Sequence, residues 1–545
     1  MEIPDHITLK FAPGARIELY GGVTLVLRGS LDAGPFQLFG SQEGREVRDP
    51  LPNRPPKDGR VILASRRIPV VYPEWFGATS SQASGATRRF DAEEGFQAAI
   101  DAAVVLRGAL PPLPIMVTGE YKLAGALYVD KVPRQGPALS PELEREHLSP
   151  GNPLLLRGAH GIGSSGEAHG RLFFTRAGAP PTSQPLPPAL NILTGRGFDV
   201  QHIALLVDAP RGGPAREVFA AAVAIEPPAQ TAGGPGRSVT GRFTHCTFNG
   251  GRVATVAILG EPSDPDQPPP QPASRYIFDH CAFILGGLNA VGEGRVLTPR
   301  GLYVRGPSSL FVDVGSSIFA ATDPAGDFRS FVHAEGGAVL LNGCDLHAAS
   351  PVAYRPRADR ESGGEDVVLG ANGGATAEDH ALLEAFGTTA WSERRSPEPA
   401  ALTMLGCESQ SAALLLRAAV PTEGTRHLRR LQRNAVLVGT RHSDVNLGDS
   451  PVGTEAGPSV RWGGLAPVDG NLVLVGCRFS SWVQLSPSAS ARCVADIGSS
   501  FREGHVLRRA SALGSALTLA PPFFRLGGVG VDAEIPALPL LRRPR

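Results

Sequence analysis

A short pattern centred on cysteine recurs after residue 240, and it constrains the fold more than any other feature of the chain. Each copy has His or Gly, then Cys, then one variable residue and in most copies Phe or Leu; the copies span residues 243–248, 278–283, 341–346, 404–409 and 474–479. Residues 314–318 and 497–501 match with Ser in place of Cys. Glycine adopts positive φ freely and His is enriched there among other residues, so the position before Cys predicts a tight bend. The same argument favours a turn role over a catalytic one for His245 and His280. A recurring bend between strands predicts a solenoid of stacked short strands.

Side chains alternate along a strand, so each Cys and the residue two positions later are expected to point into the solenoid. Phe248, Phe283, Leu346 and Phe479 fit an inward position, whereas Ser409 does not. Small apolar side chains pack well in such a core, and we predict that the cysteines are buried free thiols. The alternation also predicts an outward column one residue after each Cys: Thr247, Ala282, Asp345, Glu408 and Arg478.

The charged members of that column are candidates for binding or cleaving a sugar chain. Glycosidase carboxylates lie about 5–9.5 Å apart. Cys344 and Cys407 are 63 residues apart, a gap that fits one to three rungs of a solenoid. At two or three rungs, stacked about 4.8 Å apart, Asp345 and Glu408 would be separated by about 10–15 Å. That distance does not suit a hydrolase pair, so a partner would come from an intermediate rung or loop.

Other polar residues complete the candidate site. Asp313, His347 and the segment 441–444 could supply the missing partner. A lyase would need a general base and a cation that neutralises a uronate, for which Arg441 and Arg478 are candidates. The alternative for each charged residue is a solvated surface position. The catalytic candidates are Asp345, Glu408 and Arg478, and the substrate-binding candidates are Trp75, His347, Arg441 and Asp444.

One amphipathic helix is predicted in the first half of the chain, over residues 91–105. Phe96, Ala99, Ile100 and Ala103 recur at helical spacing and form one apolar face. Asp91 is predicted as the N-cap. The side chain of Glu94, three residues later, is expected to accept a hydrogen bond from the backbone N–H of Asp91, as in a capping box. A lone helix with one apolar face, among strands, is expected to cover the open end of the solenoid.

The residues around this helix resemble a known family. The sequence Tyr-Pro-Glu-Trp-Phe-Gly-Ala at 72–78, then residues 96–103 and Gly-Glu-Tyr-Lys-Leu at 119–123, is similar to the N-terminal segment of pectate-lyase-superfamily proteins, tailspike-like members included. Residues 7–17 and 29–39 resemble that family's leading strands. The resemblance covers about residues 1–130 and implies an all-β, right-handed parallel β-helix that acts on glycans. The family's acidic stretch before the helix is replaced here by residues 79–90, which leaves only Asp91.

Trp75, in that motif, has two interpretations. Its indole could stack on a sugar ring, or it could seat the helix over the end of the solenoid core with Phe76. Pro73 restrains the approach of the chain and Gly77 allows a sharp turn, which favours the packing role. Bulky aromatics are also more often buried than displayed.

Composition excludes several classes of function. The net charge is zero, so neither nucleic acid nor an anionic membrane is an expected partner. No apolar run is long enough for a transmembrane helix. No Cys-x-x-Cys or zinc-type cluster occurs, so we expect no metal and no cofactor. No signal peptide precedes the chain as written, which predicts a cytoplasmic location or a non-classical export route. A reducing compartment would also argue against disulfides.

We interpret the chain as an N-terminal β segment (1–71), a motif and capping-helix segment (72–130), a parallel β-helix with Pro-rich loops (131–520) and a tail (521–545). The Pro-rich inserts at residues 177–189 and 261–273 are expected to be surface loops. The first functional hypothesis is a protein that binds or depolymerises a polysaccharide, as a lyase or a glycoside hydrolase. The alternative is a non-catalytic structural or adhesive part of a spike-like assembly, for which a homotrimer is expected.

Overall fold

The computed structural model covers the 545-residue chain and describes the larger part of it. The described residues are 1–19, 22–41, 59–80, 92–149, 151–159, 170–175, 187–207, 219–228, 238–260, 274–285, 300–307, 309–321, 330–348, 365–369, 400–410, 414–418, 433–442, 460–462, 469–479, 483–485, 490–501, 507–509 and 523–526. All statements below on secondary structure, contacts and burial concern these residues.

Three long parallel sheets are stacked along the chain, and they form a parallel β-helix as the sequence predicts. Each rung passes through sheet 1, sheet 2 and sheet 3 in that order. Sheet 1 contains Ile115–Val117, Leu154–Gly158, Phe198–Gln201, Thr240–Thr244, Ser274–Asp279, Leu310–Gly315, Gly337–Asn342, Ala400–Leu405, Arg433–Val438, Asp469–Val475, Ser490–Ile497 and Phe523–Leu526. Sheet 2 contains Glu120–Leu123, Gly170–Phe174, Ile203–Val207, Thr247–Asn249, Ala282–Leu285, Ile318–Ala321, Asp345–Ala348, Glu408–Ser409, Arg441–His442, Arg478–Phe479 and Ser500–Phe501. Sheet 3 contains Leu127–Val129, Leu190–Ile192, Val223–Ile225, Val256–Leu259, Arg300–Arg305, Ser330–Ala334, Glu365–Leu369, Leu414–Ala418, Val460–Trp462, Val483–Leu485 and Leu507–Arg509.

The N-terminal segment is built from further parallel pairs. Glu2–Ile3, Thr24–Leu27 and Arg60–Leu63 form a three-stranded sheet. Thr8–Lys10 pairs with Ser30–Asp32, and Ile17–Leu19 pairs with Phe39–Ser41. A continuous apolar core joins this segment to the solenoid.

Like side chains lie on top of one another in the solenoid core, because the sheets are parallel and in register. Phe243 stacks on Phe278 with ring centroids 5.3 Å apart, and Phe283 stacks on Phe319 at 4.4 Å. Offset and tilted aromatic contacts at such distances add to the energy of area burial. Repetition of one residue type at one rung position therefore stabilises the core.

The corner between sheets 1 and 2 is the tight bend that the cysteine pattern predicts. His245 and His280 have φ of 52° and 53°, and the glycines before Cys344, Cys407 and Cys477 have φ between 58° and 61°. At Gly406 no atom lies within 4 Å of the place where a Cβ would stand, so the backbone angle alone favours glycine. The turn role of His245 and His280 is confirmed. His202, with φ of 56°, occupies the same corner in an earlier rung that lacks the cysteine.

The five cysteines whose side chains the structure describes are buried thiols that point inward from this corner: Cys246, Cys281, Cys344, Cys407 and Cys477. The rungs between them carry Ser317 and Thr440 at the same position, both buried. The prediction that Ser409 breaks the inward pattern is wrong. Ser409 is fully buried and continues the column through Leu346 and His442, so the strand geometry sets its direction irrespective of polarity.

The predicted helix covers the first rung, where it spans Glu93–Ala103 and is followed by a 3-10 turn at Val105–Arg107. Phe96, Ala99, Ile100 and Ala103 are buried, as their spacing predicts. Gln97 accepts a hydrogen bond from the backbone N–H of Tyr128 and donates one to its carbonyl oxygen, both at 2.8 Å. These bonds occupy groups of the strand Leu127–Val129 at the end of sheet 3, where the next strand would otherwise pair.

Two local predictions in this region need correction. The N-cap position is Ala92, with no side-chain cap, and Asp91 lies outside the described residues. The Ala92 N–H donates to the Lys122 carbonyl oxygen at 2.9 Å, so a tertiary hydrogen bond is made at the start of the helix. A second helix, Pro141–His147, was not predicted, although Ser140 as N-cap and a Pro at the first position are recognised start signals.

The remaining predictions on organisation are only partly within the described residues. Most of the first Pro-rich insert and all of the second lie outside them, and the domain boundaries stay predictions. In the described part of the chain, no helix has the length and apolar character needed to cross a bilayer.

Candidate charged ladder on sheet 2

Asp345, Glu408, Arg441 and Arg478 lie on four consecutive strands of sheet 2 and are in register. Asp345 pairs with Glu408, Glu408 with Arg441, and Arg441 with Arg478. Adjacent strands lie about 4.8 Å apart, so the four positions span roughly 14 Å along the solenoid. We call these four residues the charged ladder.

The expected separation of Asp345 and Glu408 by two or three rungs is therefore wrong. They lie on neighbouring strands, where backbone positions are about 4.8 Å apart. The 63-residue gap corresponds to one step along the stack, because Gly337–Asn342 pairs directly with Ala400–Leu405 and Asp345–Ala348 pairs directly with Glu408–Ser409. Residue spacing counts the connections between sheets, whereas only the strands determine the stacking distance.

The ladder begins beside an apolar side chain and includes an unpartnered carboxylate oxygen. Ile318 precedes Asp345 in the column and is 49% exposed. Asp345 is half-buried, and its Oδ1 atom is shielded from solvent without a hydrogen-bond partner. Buried acceptors are normally satisfied, so this oxygen has capacity for a further donor. Glu408 is exposed and accepts a hydrogen bond from Gln410 Nε2 at 2.9 Å.

The two arginines of the charged ladder are exposed to solvent and can reach a ligand. Arg441 and Arg478 are both exposed, and among the described residues neither guanidinium forms an ion pair. Arg441 belongs to a further copy of the repeat, residues 438–442. The cysteine pattern does not identify this copy, because Thr440 stands in place of Cys. The signal was present in the glycine at 439, which has φ of 60°.

The other predicted site residues are distributed over several places. His347 is exposed on the same face of sheet 2 as Asp345, two residues further along the strand. Gln410, which was not a predicted site residue, lies next to His347, directly after the end of the neighbouring strand. Its backbone N–H donates to the Leu346 carbonyl oxygen at 3.0 Å. Asp313 lies on sheet 1 and pairs with Arg275, so it does not join the ladder. Asp444 lies outside the described residues.

Trp75 is far from the ladder and buried. It lies in the 3-10 helix Pro73–Phe76 at the N-terminal end, with 2% of its surface exposed. Its Nε1 donates to the Gly34 carbonyl oxygen at 2.9 Å, and Tyr72 packs edge-on against it at 5.6 Å. Six strand spacings of sheet 2, or about 29 Å, separate the first rung from Asp345. The structure thus brings together Asp345, Glu408, Arg478, Arg441 and His347, but not Trp75.

A second polar cluster lies on the outer side of sheet 3 and was not detected in the sequence. Arg300 Nε donates to His333 Nδ1 at 3.0 Å, and Glu335 lies 3.6 Å from His333 Nε2. Tyr303 packs against the His333 ring at 5.3 Å, and burial together with Glu335 raises the pKa of its hydroxyl. Arg300, Tyr303 and His333 are each at most 3% exposed, which suits a structural role better than contact with a large substrate.

The described side chains do not suggest metal chemistry. No three His, Cys, Asp or Glu residues among them come together in a group that could hold a metal ion. The charged ladder offers two carboxylates and two guanidinium groups, and the imidazole of His347 and the amide of Gln410 lie on the same face of sheet 2. Such a set can bind hydroxyl and carboxylate groups directly, and two neighbouring carboxylates are the minimum that glycoside hydrolysis requires.

Comparison with known proteins finds only distant structural similarity. No family model and no curated protein matches it. A structure of the surface protein and adhesin PfbA of Streptococcus pneumoniae is 12% identical with a TM-score of 0.34, over 84% of this chain and 98% of that one. A crystal structure of PfbA, described as a surface adhesin of the same species, is 9% identical with a TM-score of 0.30, over 84% and 92% of the two chains. A family 28 exopolygalacturonase of Yersinia enterocolitica is 11% identical with a TM-score of 0.20, over 84% and 78%. At such distances the function has to be argued from the side chains of this protein.

Proposed function

We propose that the protein binds a polysaccharide along sheet 2, and that the charged ladder is the binding surface. The observation that carries the proposal is the in-register column of Asp345, Glu408, Arg441 and Arg478. A surface that continues along the stacking direction suits an extended chain of repeating units, because each rung presents one further set of side chains.

The charges of the ladder indicate which class of polysaccharide fits. Guanidinium groups bind carboxylates with charge-assisted hydrogen bonds, so Arg441 and Arg478 favour a uronate. Carboxylates accept hydrogen bonds from hydroxyl groups but repel other carboxylates, so Asp345 and Glu408 favour a neutral sugar. The exposed side chain of Ile318 extends the acidic end with an apolar contact. The best match is a polysaccharide in which uronate and neutral sugars alternate.

The arginine side chains should decide affinity. We expect Arg441→Gln with Arg478→Gln to weaken binding of an alternating uronate polysaccharide such as hyaluronan by about 10–100-fold. Each charge-assisted bond contributes about 1.5–3 kcal/mol, reduced here by exposure to solvent. Isothermal titration calorimetry on wild type and variant measures the difference, and affinity of the wild type should fall with added salt.

A matched control uses an arginine of a different face. Arg242 is exposed on sheet 1, and Arg242→Gln should bind like wild type. A glycan array that includes dextran and polygalacturonate tests the sugar class. If the wild type ignores acidic and neutral polysaccharides alike, or if the double variant binds as tightly as wild type, the proposal is wrong.

Hydrolysis by the same face is the second candidate function, and the adjacency of Asp345 and Glu408 favours it. Retaining glycosidases hold their carboxyl groups about 5–5.5 Å apart, close to the spacing of neighbouring strands. In that mechanism one carboxylic acid protonates the leaving oxygen while the other carboxylate attacks the sugar. The unpartnered Oδ1 of Asp345 suits a group that must accept or carry a proton.

Carboxamide variants separate cleavage from binding. If the pair is catalytic, Asp345→Asn and Glu408→Gln should each lower the release of reducing ends by at least about 100-fold, since acid–base catalysis contributes about that much. Binding affinity should change little. Ultraviolet absorbance of the products distinguishes elimination from hydrolysis. Binding with no products from the wild type would rule out catalysis and leave the adhesive alternative.

A further inference from the structure

The outer face of sheet 1 changes in character along the solenoid. In its first half the outward side chains are charged: Arg157 pairs with Asp199 at 2.6 Å, and Arg275 pairs with Asp313. From Gly337–Asn342 to Ser490–Ile497, none of the outward side chains that the structure describes is ionisable. The outward polar residues of this half are uncharged: Asn342, Thr403, Asn434 and Asn471. The described face can therefore be covered without burying an ionised group.

Apolar side chains form two columns on that half. Leu340, Thr403, Val436 and Val473 pair in succession along one column. Leu405, Val438, Val475 and Ile497 pair along the next. Phe311 and Ile497 are 43% and 40% exposed. We define the apolar strip as Phe311, Leu340, Leu405, Val436, Val438, Val473, Val475 and Ile497.

The size of the uncharged half suits a weak, concentration-dependent interface. It crosses five neighbouring strands, from Gly337–Asn342 to Ser490–Ile497, and Phe311 lies at its edge on the strand that carries the ion-paired Asp313. Five strands at about 4.8 Å, each about 20 Å long, make a face of roughly 480 Å². Two such faces in contact would bury about 960 Å² in total, below the lower limit of about 1,200 Å² for standard specific interfaces and in the range of weak ones.

We propose that the apolar strip is a homotypic interface, on which a second copy of this chain packs its own strip. The described outward side chains of this half include no ionisable group, and a partner surface that also lacks them could cover them without burying an unpaired charge, which is costly. The strip itself meets this requirement. Two flat sheet faces pack well at about 10 Å separation, and a two-fold axis through the strip would make the contact self-complementary. The charged half of sheet 1 would remain in water.

Measurement of mass against concentration tests the proposal. Wild-type protein should show a concentration-dependent dimer by sedimentation or light scattering. Val436→Lys with Val473→Lys should weaken association by at least about 100-fold, since each buried ammonium costs several kcal/mol. Val436→Thr with Val473→Thr keeps side-chain shape and strand propensity, and should weaken it by about tenfold.

Control variants and folding checks decide between outcomes. Thr240→Lys adds a charge to an exposed outward position in the first half of sheet 1, and should leave association unchanged. Circular dichroism and thermal melting establish whether each variant is folded. If the double lysine variant does not fold, the double threonine variant tests the proposal. A wild type that stays monomeric at every concentration overturns the proposal, whether or not another protein occupies the strip. So does an oligomer that both valine-pair variants leave intact.

Discussion

Trp75→Ala is expected to lower the free energy of unfolding by about 3–5 kcal/mol, the range for a buried aromatic truncated to alanine. Trp75 is 2% exposed, and its indole fills the space below the N-terminal strands while its Nε1 donates to the Gly34 carbonyl oxygen. The substitution removes the packed volume and leaves that oxygen without its donor. Denaturant unfolding, followed by circular dichroism, measures the change, and proteolysis within residues 79–110 should become faster.

Trp75→Phe is the matched control for this prediction. Phenylalanine keeps most of the apolar volume but cannot donate to Gly34, so it should cost only about 1–3 kcal/mol. Polysaccharide binding by folded Trp75→Ala should equal that of the wild type, because Trp75 lies far from the charged ladder. A variant that melts like wild type but loses binding would contradict the packing role and support a sugar-stacking one.

Arg107→Met is expected to lower the free energy of unfolding by at least about 3 kcal/mol. The Arg107 guanidinium is 1% exposed and donates to the carbonyl oxygens of Leu63, Ser65 and Pro111. These bonds tie the N-terminal strand Arg60–Leu63 to the turn after the capping helix. Methionine fills the volume but donates to none of the three oxygens, and each unsatisfied buried group costs about 1–3 kcal/mol.

The burial of the charge acts in the opposite direction. Desolvation lowers the pKa of Arg107 to about 10, so the folded protein carries a cost that methionine removes. We expect the free energy lost by leaving three carbonyl groups without a donor to exceed the free energy gained by removing the buried charge. Arg66→Met, at an exposed neighbouring position, should change stability by less than about 0.5 kcal/mol. If Arg107→Met were more stable than wild type, desolvation would be the dominant effect at this site.

Much of the fold could be predicted from local pattern. Positive φ at the corner follows from Gly and His at one position, and the inward cysteines follow from alternation along a strand. The apolar face of the helix is visible at Phe96 and Ile100 because helical periodicity is local. Ser409 points inward although its polarity suggests an outward position, because strand geometry decides its direction.

The sequence predicted which residues of the candidate site point outward, but not which of them are neighbours. The outward direction of Asp345 and Glu408 follows from their place after each Cys, but their adjacency does not. Long connections within one rung resemble extra rungs in a count of residues. The Arg441 rung was missed because Thr440 replaces cysteine there, although its corner glycine keeps the same φ.

Local sequence pattern was enough to predict a β solenoid with a bend before each Cys and a helix near its start. These features depend on backbone preferences and on the alternation of side chains, which act over a few residues. The tertiary structure places Asp345, Glu408, Arg441 and Arg478 on consecutive strands and Gln97 at the end of sheet 3. It also leaves the described outward side chains in the second half of sheet 1 without an ionisable group. The physical reason is that stacking register depends on hydrogen bonds between strands far apart in the chain, and connections of any length preserve it.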